Sequence, residues 1–220
     1  MNMKNLVFSV VLIFTLTGCL FTRTEVSLAQ KFGQVNVLEK NGKSIYIQTV
    51  IDKRIFENNP RSPRIPSLKD NELQNNEIKS RAIARKRNGY GGAEGDVLLK
   101  NGQTVVSVIK ENVEIAFSDL GYTIIQNPKD ITDNTILVDI DVNKFWSWMT
   151  PIFVSIILDS EISTNVTLTE HGKENKYTFK VATTEHSATA FDSDWIAMTQ
   201  KVLKLHIEEI KKKIQLSQNS

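Results

Sequence analysis

Apolar residues recur with a helical period in residues 104–120 and again in residues 193–216. In the first segment they return every three or four positions, and Thr104 precedes them as a candidate N-cap. Gly121 follows the last of them, where a helix favours a left-handed residue. Lysines near the end of the second segment suit the negative end of a helix dipole. The two segments are predicted helices, with apolar sides formed by Val105, Val106, Ile109, Val113, Ala116, Phe117 and Leu120 and by Trp195, Ile196 or Met198, Val202, Leu205, Ile210 and Ile214.

Alternating apolar and polar residues, typical of strands with one buried face, occupy other parts of the chain. The strand-like segments are residues 34–38, 44–56, 135–145, 160–170 and 175–184. Turn signals at Asn41-Gly42 and at His171-Gly172-Lys173 separate two pairs of them. The order of elements predicts an α+β fold. It is a two-layer sandwich, with a largely antiparallel sheet and two helices on one face.

Residues 57–103 show neither period and are punctuated by proline, glycine and asparagine, so we expect a long irregular excursion. Within it lies a basic tract of Lys79, Arg81, Arg85, Lys86 and Arg87. The tract has two interpretations. It is either a solvated loop or a contact with anionic lipid head groups.

The N-terminus carries the pattern of a bacterial lipoprotein signal. Lys4 is followed by an apolar run of about a dozen residues, shorter than the ~20 that a membrane-spanning helix needs. The run closes at Leu16-Thr17-Gly18-Cys19, which contains the only cysteine of the chain. We therefore expect residues 1–18 to be a signal peptide and Cys19 to carry acyl chains. Residues 19–33 are a predicted tether, and residues 34–220 a predicted periplasm-facing domain.

Charge and cysteine content exclude some classes of function and structure. The 220-residue chain has a formal net charge of +2, and removing Lys4 with the signal leaves +1. This near-neutrality argues against a nucleic-acid-binding protein, which normally has a strong basic excess. The lone cysteine cannot form an internal disulfide. We therefore expect the protein's main partner to be a membrane, reached through the lipid anchor at Cys19.

Residues 145–158 form an unusual aromatic and apolar stretch that holds Trp146, Trp148 and Phe153 and is interrupted by Pro151. One interpretation is an aromatic loop that binds a partner protein or enters the lipid interface, where tryptophan is favoured. The other is a segment that crosses between strands and packs in the core. The exposure of the three aromatic side chains distinguishes the two.

Other candidate residues give weaker signals. Asp52 and Arg54 share a strand face and form either a site for a polar ligand or a structural ion pair. His186-Ser187 near Asp192 and Asp194 could only act as a hydrolase triad if geometry brought them together. The three histidines lack metal-ligand spacing, so no metal or cofactor is expected.

Several short motifs together resemble the YajG-type family of bacterial envelope lipoproteins. They are Leu16 to Cys19, Ile51-Asp52-Lys53-Arg54 with Phe56-Glu57, Pro63, Ile65-Pro66-Ser67-Leu68, Gly95-Asp96-Val97-Leu98-Leu99, the helix from Thr104 to Gly121, Phe145-Trp146, Pro151-Ile152-Phe153 and the closing strand and helix. The resemblance implies a periplasm-facing lipoprotein with no established catalytic activity.

These observations predict a non-catalytic accessory or docking module of the bacterial envelope, anchored at Cys19. Trp146, Trp148 and Phe153 are its expected contacts with an envelope protein. Leu20 follows Cys19 where an inner-membrane retention signal would place aspartate, which predicts the outer membrane. The alternatives are a binding domain for a cell-wall or lipid component, using Asp52, Arg54 and the basic tract, and a hydrolase.

Overall fold

One large sheet dominates the computed structural model, which describes residues 23–28, 40–153 and 155–218. The predicted signal peptide, Cys19 and the predicted strand at residues 34–38 lie outside the described residues. The strands are β1 (Thr24–Val26), β2 (Ser44–Asp52), β3 (Glu57–Asn58), β4 (Ser67–Leu68), β5 (Ala82–Arg87), β6 (Ala93–Leu99), β7 (Thr123–Ile124), β8 (Thr135–Ile152), β9 (Ser155–Glu170) and β10 (Lys173–Ser187). The helices are α1 (Asn76–Arg81), α2 (Val105–Asp119) and α3 (Asp192–Gln218).

Both predicted long helices are present. Thr104 caps α2 through a reciprocal pair of hydrogen bonds with Ser107, and Gly121 follows the helix with a φ of +85°. The α3 helix buries Trp195, Val202 and Ile210 as expected. Leu205, predicted on its apolar side, is instead partly exposed, and Leu203 is buried in the core.

The sheet is mixed: the long β8–β9 and β9–β10 pairs and the β5–β6 pair are antiparallel, as expected for most of the sheet, but several other pairs are parallel. Strand β8 is its centre and pairs antiparallel with β9, which pairs antiparallel with β10. On its other edge β8 pairs in parallel with β2 along its first half and with β5 near Ser147 and Trp148. Strand β6 lies between β5 and β1, antiparallel to the first and parallel to the second. Strands β2 and β5 can pair in parallel with β8 because the connections to β8 are long and include α2.

A register shift between Val142 and Lys144 divides β8 into two phases. Before it, Ile136 and Val138 face the main core with α2 and α3, and after it Phe145 takes that role. One extra residue in a strand reverses which side chains face each side. Trp146 and Trp148 therefore point to the opposite face, into a second core with Leu68, Ala82 and Leu98.

The second core corrects two expectations. A plain two-layer sandwich is incomplete, because Phe56, Leu73 and Ile78 pack on the sheet face opposite the main core. The predicted irregular excursion contains a helix and two central strands, α1, β5 and β6. The strand β5 was not predicted because all six of its residues are buried although three of them, Arg85, Lys86 and Arg87, are charged, so the apolar–polar alternation of a strand is missing. In addition, residues 24–26 of the predicted tether form β1, beside β6.

Candidate functional site

The structure separates the three aromatic residues expected to contact a partner. Trp146 is fully buried, and its Nε1 donates a hydrogen bond to the Pro63 carbonyl at 3.1 Å. Trp148 is buried as well, with cations of Arg64 and Lys144 each 5.5 Å from its ring centre. Phe153 is fully exposed. The shift of phase in β8 thus removes the two tryptophans from the expected contact surface and leaves Phe153.

Asp52 and Arg54 form a buried structural ion pair. The carboxylate of Asp52 accepts from Arg54 Nε and Nη2, each at 2.8 Å. The other guanidinium hydrogens go to the carbonyls of Lys79, Ala82 and Phe145 at 2.7, 2.5 and 3.2 Å. These contacts occupy all five N–H donors of Arg54. No donor is left for a ligand, so the predicted ligand-binding role of this pair is replaced by a structural one.

The first interpretation of the basic tract, a solvated loop, is wrong. Arg81, Arg85, Lys86 and Arg87 are buried at the end of α1 and along β5, not in a solvated loop. Because a buried cation is costly unless an anion or several acceptors compensate it, the partners of each residue matter. Arg81 pairs with Glu25 at 2.8 Å and Glu77 at 3.2 Å.

Arg85 and Arg87 meet at a cavity of about 230 Å³ on the second-core side of the sheet. Arg85 donates to the Asp96 carboxylate, whose other oxygen accepts from Arg23 at 2.6 Å. Arg87 donates only to neutral oxygens, namely the carbonyls of Pro60 and Gly91 and the hydroxyl of Ser67. Burial lowers the pKa of Arg87, and the nearby charge of Arg85 lowers it further. The cavity therefore has cationic walls.

The strand directions bring distant aromatic residues to one end of the sheet. Phe153 lies in the β8–β9 turn, and Ser187 at the end of β10 is beside Ile156 at the start of β9. Since β5 runs parallel to β8, its turn into β6 reaches the same end and carries Tyr90, which is fully exposed. Phe191, 54% exposed, follows β10 there. We call Tyr90, Ile152, Phe153 and Phe191 the aromatic end.

The aromatic end has two further properties. In the part of the chain that the structure describes, Tyr90, Phe153 and Phe191 are the exposed aromatic side chains. Strand β1 runs parallel to β6, so Arg23, which precedes it, is on the side of β1 nearest this end. Arg23 is held there by Asp96 and Glu72. Sequence patterns missed Tyr90 and Phe191 because only strand pairing brings them beside Phe153.

The proposed hydrolase residues come close without forming a catalytic arrangement. His186, Ser187 and Asp194 line one cavity of about 270 Å³. However, the His186 side chain forms no hydrogen bond with any residue the structure describes, and His186 is adjacent to Ser187 in a strand, so their side chains point to opposite faces. The Asp194 carboxylate instead accepts from the Thr189 hydroxyl at 2.7 Å and the Phe191 amide at 2.9 Å.

A different histidine lies in the main core. His206 is fully buried between the Thr164 hydroxyl at 2.9 Å from Nε2 and the Asn112 amide oxygen at 2.7 Å from Nδ1. Burial lowers the pKa of His206 to about 3, so the ring is neutral at physiological pH. The geometry gives it a structural role.

No group of three or more His, Cys, Asp or Glu side chains within residues 23–28, 40–153 and 155–218 is arranged to hold a metal ion. Within the same ranges, no helix combines the length and apolar character needed to cross a bilayer.

Comparisons with known proteins give only distant structural similarity. No protein-family profile and no curated protein matches the sequence. A DUF330 protein from Xanthomonas campestris is 16% identical, with a TM-score of 0.44 over 91% of this chain and 97% of its own. An uncharacterized protein is 8% identical, with a TM-score of 0.46 over 89% and 99%. A lipoprotein from Neisseria meningitidis is 12% identical, with a TM-score of 0.24 over 76% and 98%. Membership of the YajG-type family stays a prediction, and function has to be argued from the residues of this chain.

Proposed function

We propose that this protein is a non-catalytic lipoprotein of the bacterial envelope, anchored by acyl chains on Cys19, whose domain stands with its aromatic end against the lipid bilayer. The single observation that carries this proposal is the convergence of Tyr90, Phe153 and Phe191 on one end of the sheet. The same end is the one nearest Arg23, from which the chain leads back to Cys19.

Chain length limits how far this end can lie from the anchor. Three residues separate Arg23 from Cys19, and the four residue steps between them span at most about 14 Å when fully extended. An acylated Cys19 at the membrane surface therefore holds Arg23 close to the bilayer. The opposite end of the sheet, where β9 turns into β10, is farther away and faces the periplasm.

The free energy of burying the aromatic end at the lipid interface is enough to orient the domain but too small to anchor it. Full burial of a phenylalanine side chain contributes roughly 1.5–3 kcal/mol, and a side chain at the interface is only partly buried. Tyrosine is favoured at the head-group level, and phenylalanine contributes apolar contact with the acyl boundary. Several acyl chains give stable attachment by themselves. The aromatic end thus orients a domain that the lipid already retains, and Leu20 after Cys19 favours the outer membrane as its site.

This orientation leaves the domain accessible from the periplasm to an envelope protein. We propose no catalysis, because the carboxylate of Asp194 is engaged by Thr189 and Phe191 and leaves His186 without an orienting partner. A binding role toward a lipid component is the second candidate, and the cationic cavity at Arg85 and Arg87 favours it.

The orientation is testable with a fluorescent label at each end of the sheet. Acylation occupies the thiol of Cys19, so a cysteine in the variant Phe153→Cys is the one reactive thiol of the mature protein. The matched control is Lys173→Cys, at the exposed β9–β10 turn. Each full-length lipoprotein is labelled with an environment-sensitive dye and reconstituted into vesicles that contain a lipid with a nitroxide near its head group.

We expect strong quenching of the label at position 153 and little at position 173, because only the first lies at the lipid interface. Equal quenching of both labels would contradict the orientation. Palmitate labelling in cells tests the anchor separately. The wild-type protein should incorporate palmitate and Cys19→Ser should not, and an unlabelled wild-type protein would rule out the anchor.

A further inference from the structure

We propose that the cavity between Arg85 and Arg87 is a binding site for one phosphate group, presented either by a phospholipid head group or as free phosphate. The site is separate from the Asp52–Arg54 pair, and its two arginines belong to the basic tract. Its walls include Ser67, Lys69, Arg85 and Arg87, with Asn58 and Asp70 at the same cavity.

The charges around the four buried arginines distinguish this site from a structural cluster. Arg54 pairs with Asp52, Arg81 with Glu25 and Glu77, and Arg85 with Asp96. Arg87, only 5% exposed, has no carboxylate partner among the residues the structure describes. An uncompensated buried cation is unfavourable, and an anion in the cavity removes that cost.

Unused hydrogen-bond donors point the same way. Within the described residues Arg85, 7% exposed, donates one hydrogen bond, to Asp96, although its guanidinium has five N–H groups. Arg87 donates three, and the Nε atoms of both residues are buried without a partner. Leaving such donors unpaired in a buried site is unfavourable, and more so for a charged group.

The donor set favours phosphate over a carboxylate. Two guanidinium groups, the Ser67 hydroxyl and the Lys69 ammonium offer more donors than the two oxygens of a carboxylate accept. Phosphate has up to four oxygens, and arginine binds it through two parallel hydrogen bonds. The carboxylate of Asp70 opposes the anion from the same cavity, and Asp96 compensates Arg85, so Arg87 and Lys69 supply the positive charge that attracts the anion.

The position of the cavity connects it with the membrane. Arg87 donates to the Gly91 carbonyl at 3.2 Å, and Gly91 lies in the same turn as Tyr90 of the aromatic end. A head-group phosphate at the bilayer surface is therefore near the cavity if the domain is oriented as proposed. The phosphate site itself does not rest on the proposed function. Only the lipid as the source of the phosphate does.

Phosphate binding is measured on the full-length lipoprotein in non-ionic detergent at low ionic strength, by titration calorimetry and by the thermal midpoint. The two probes are inorganic phosphate and dihexanoyl phosphatidic acid below its micelle concentration. The variants are Arg87→Gln and Arg87→Lys, and the matched control is Arg61→Gln, an exposed arginine next to Pro60.

We expect at least one probe to bind the wild-type protein and raise its thermal midpoint, with the same result for Arg61→Gln. Arg87→Gln should bind that probe about tenfold or more weakly, and Arg87→Lys should fall between them because lysine keeps the charge without the fork. Tighter binding of phosphatidic acid identifies a lipid source, and tighter binding of inorganic phosphate identifies a free one.

Two results would overturn the site. One is no heat and no shift of the midpoint with either probe on the wild-type protein, which does not depend on how the variants fold. The other is unchanged affinity in Arg87→Gln. Because the measurement needs no bilayer, a protein that binds phosphate but fails the quenching test keeps the site and loses the orientation.

Discussion

The two faces of the β8 strand show how one sheet serves two purposes. On the side of α2 and α3 the strand buries Ile136, Val138 and Phe145 in a large apolar core. On the other side it buries Trp146 and Trp148 in a small core surrounded by charged residues. The first face resembles the interior of an ordinary domain, whereas the second holds cations in fixed positions. The difference assigns folding mainly to one face and binding to the other.

Polar groups on the two faces are treated in opposite ways. In the main core three buried polar side chains form a hydrogen-bonded chain, in which His206 joins Thr164 and Asn112, and Asn112 donates to the Leu203 carbonyl at 3.1 Å. On the second face Arg85 and Arg87 keep donors that have no partner among the described residues. Buried polar groups that have all their hydrogen-bond partners stabilise a unique core, whereas donors without a partner are available to a ligand.

Glu161 shows that other cations on the second face do have a carboxylate partner. Burial raises the pKa of Glu161, but hydrogen bonds from Arg64, Lys144 and Lys180 outweigh burial and lower the pKa to about 2. Three cations thus share one carboxylate at 2.8, 2.9 and 3.3 Å. The contrast with Arg87, which has no carboxylate, marks the cavity as the exception on this face.

The largest effect should come from the main core. Phe117 is fully buried there, so Phe117→Ala should lower the free energy of unfolding by about 3–5 kcal/mol through lost contacts and a cavity. The control Phe153→Ala, at an exposed position, should change it by less than about 0.5 kcal/mol. Urea unfolding followed by circular dichroism measures both, and similar losses would remove the distinction between core and aromatic end.

The second-largest effect tests whether ion pairs on the second face are structural. Asp52→Asn leaves the buried Arg54 cation without its carboxylate and should cost about 2–3 kcal/mol. The expected cost is below that of a fully buried pair because the Asp52 side chain is 21% exposed. The control is Asp141→Asn, which breaks an exposed pair with Lys53 and should cost less than about 1 kcal/mol. Equal losses in urea unfolding would show that burial of Arg54 does not matter.

The smallest of the three effects, about 1.6 kcal/mol between pH 6.5 and pH 5, is a pH dependence that belongs to the main core. The pKa of His206 is about 3 in the folded protein and near 6.5 in the unfolded chain, so the unfolded chain takes up the proton first. The free energy of unfolding should therefore fall as the pH drops below about 6.5, approaching about 1.4 kcal/mol per pH unit. Glu161 adds to the loss below about pH 4.5, because its folded pKa is the lower one.

A variant separates the contribution of His206 from that of the carboxylates. His206→Gln should flatten the slope of unfolding free energy between pH 6.5 and pH 5, whatever its effect on absolute stability. His186→Gln, at an exposed histidine, should leave the slope unchanged. Urea titrations at a series of pH values give both slopes. A slope that survives in His206→Gln would assign the proton uptake to another group.

Local signals made the helices predictable from sequence. The cap at Thr104, the left-handed Gly121 and the helical period of residues 104–120 all act within a few residues, and each is present in the structure. The alternation of residues 135–142 was likewise sufficient to place the first half of β8. These elements depend on contacts that are close in sequence.

The site depended on contacts that are distant in sequence. Arg85 and Arg87 were taken as surface residues because arginine is seldom buried, and only their neighbours in the sheet show otherwise. Trp146 and Trp148 lie on the face opposite Ile136 and Val138 because of one extra residue between Val142 and Lys144. No residue type in the sequence marks this irregularity. Tyr90, Phe153 and Phe191 converge through strand pairing, which no local pattern encodes.

The irregularity near Asn143 also affects how this strand can change in evolution. Loss of that single codon would exchange inside and outside for the residues that follow, bringing Trp146 and Trp148 toward the helices and Phe145 toward the charged face. Point substitutions in the same stretch alter one side chain at a time. The strand can therefore drift in composition on either face, while its length at this position is held fixed by both cores at once.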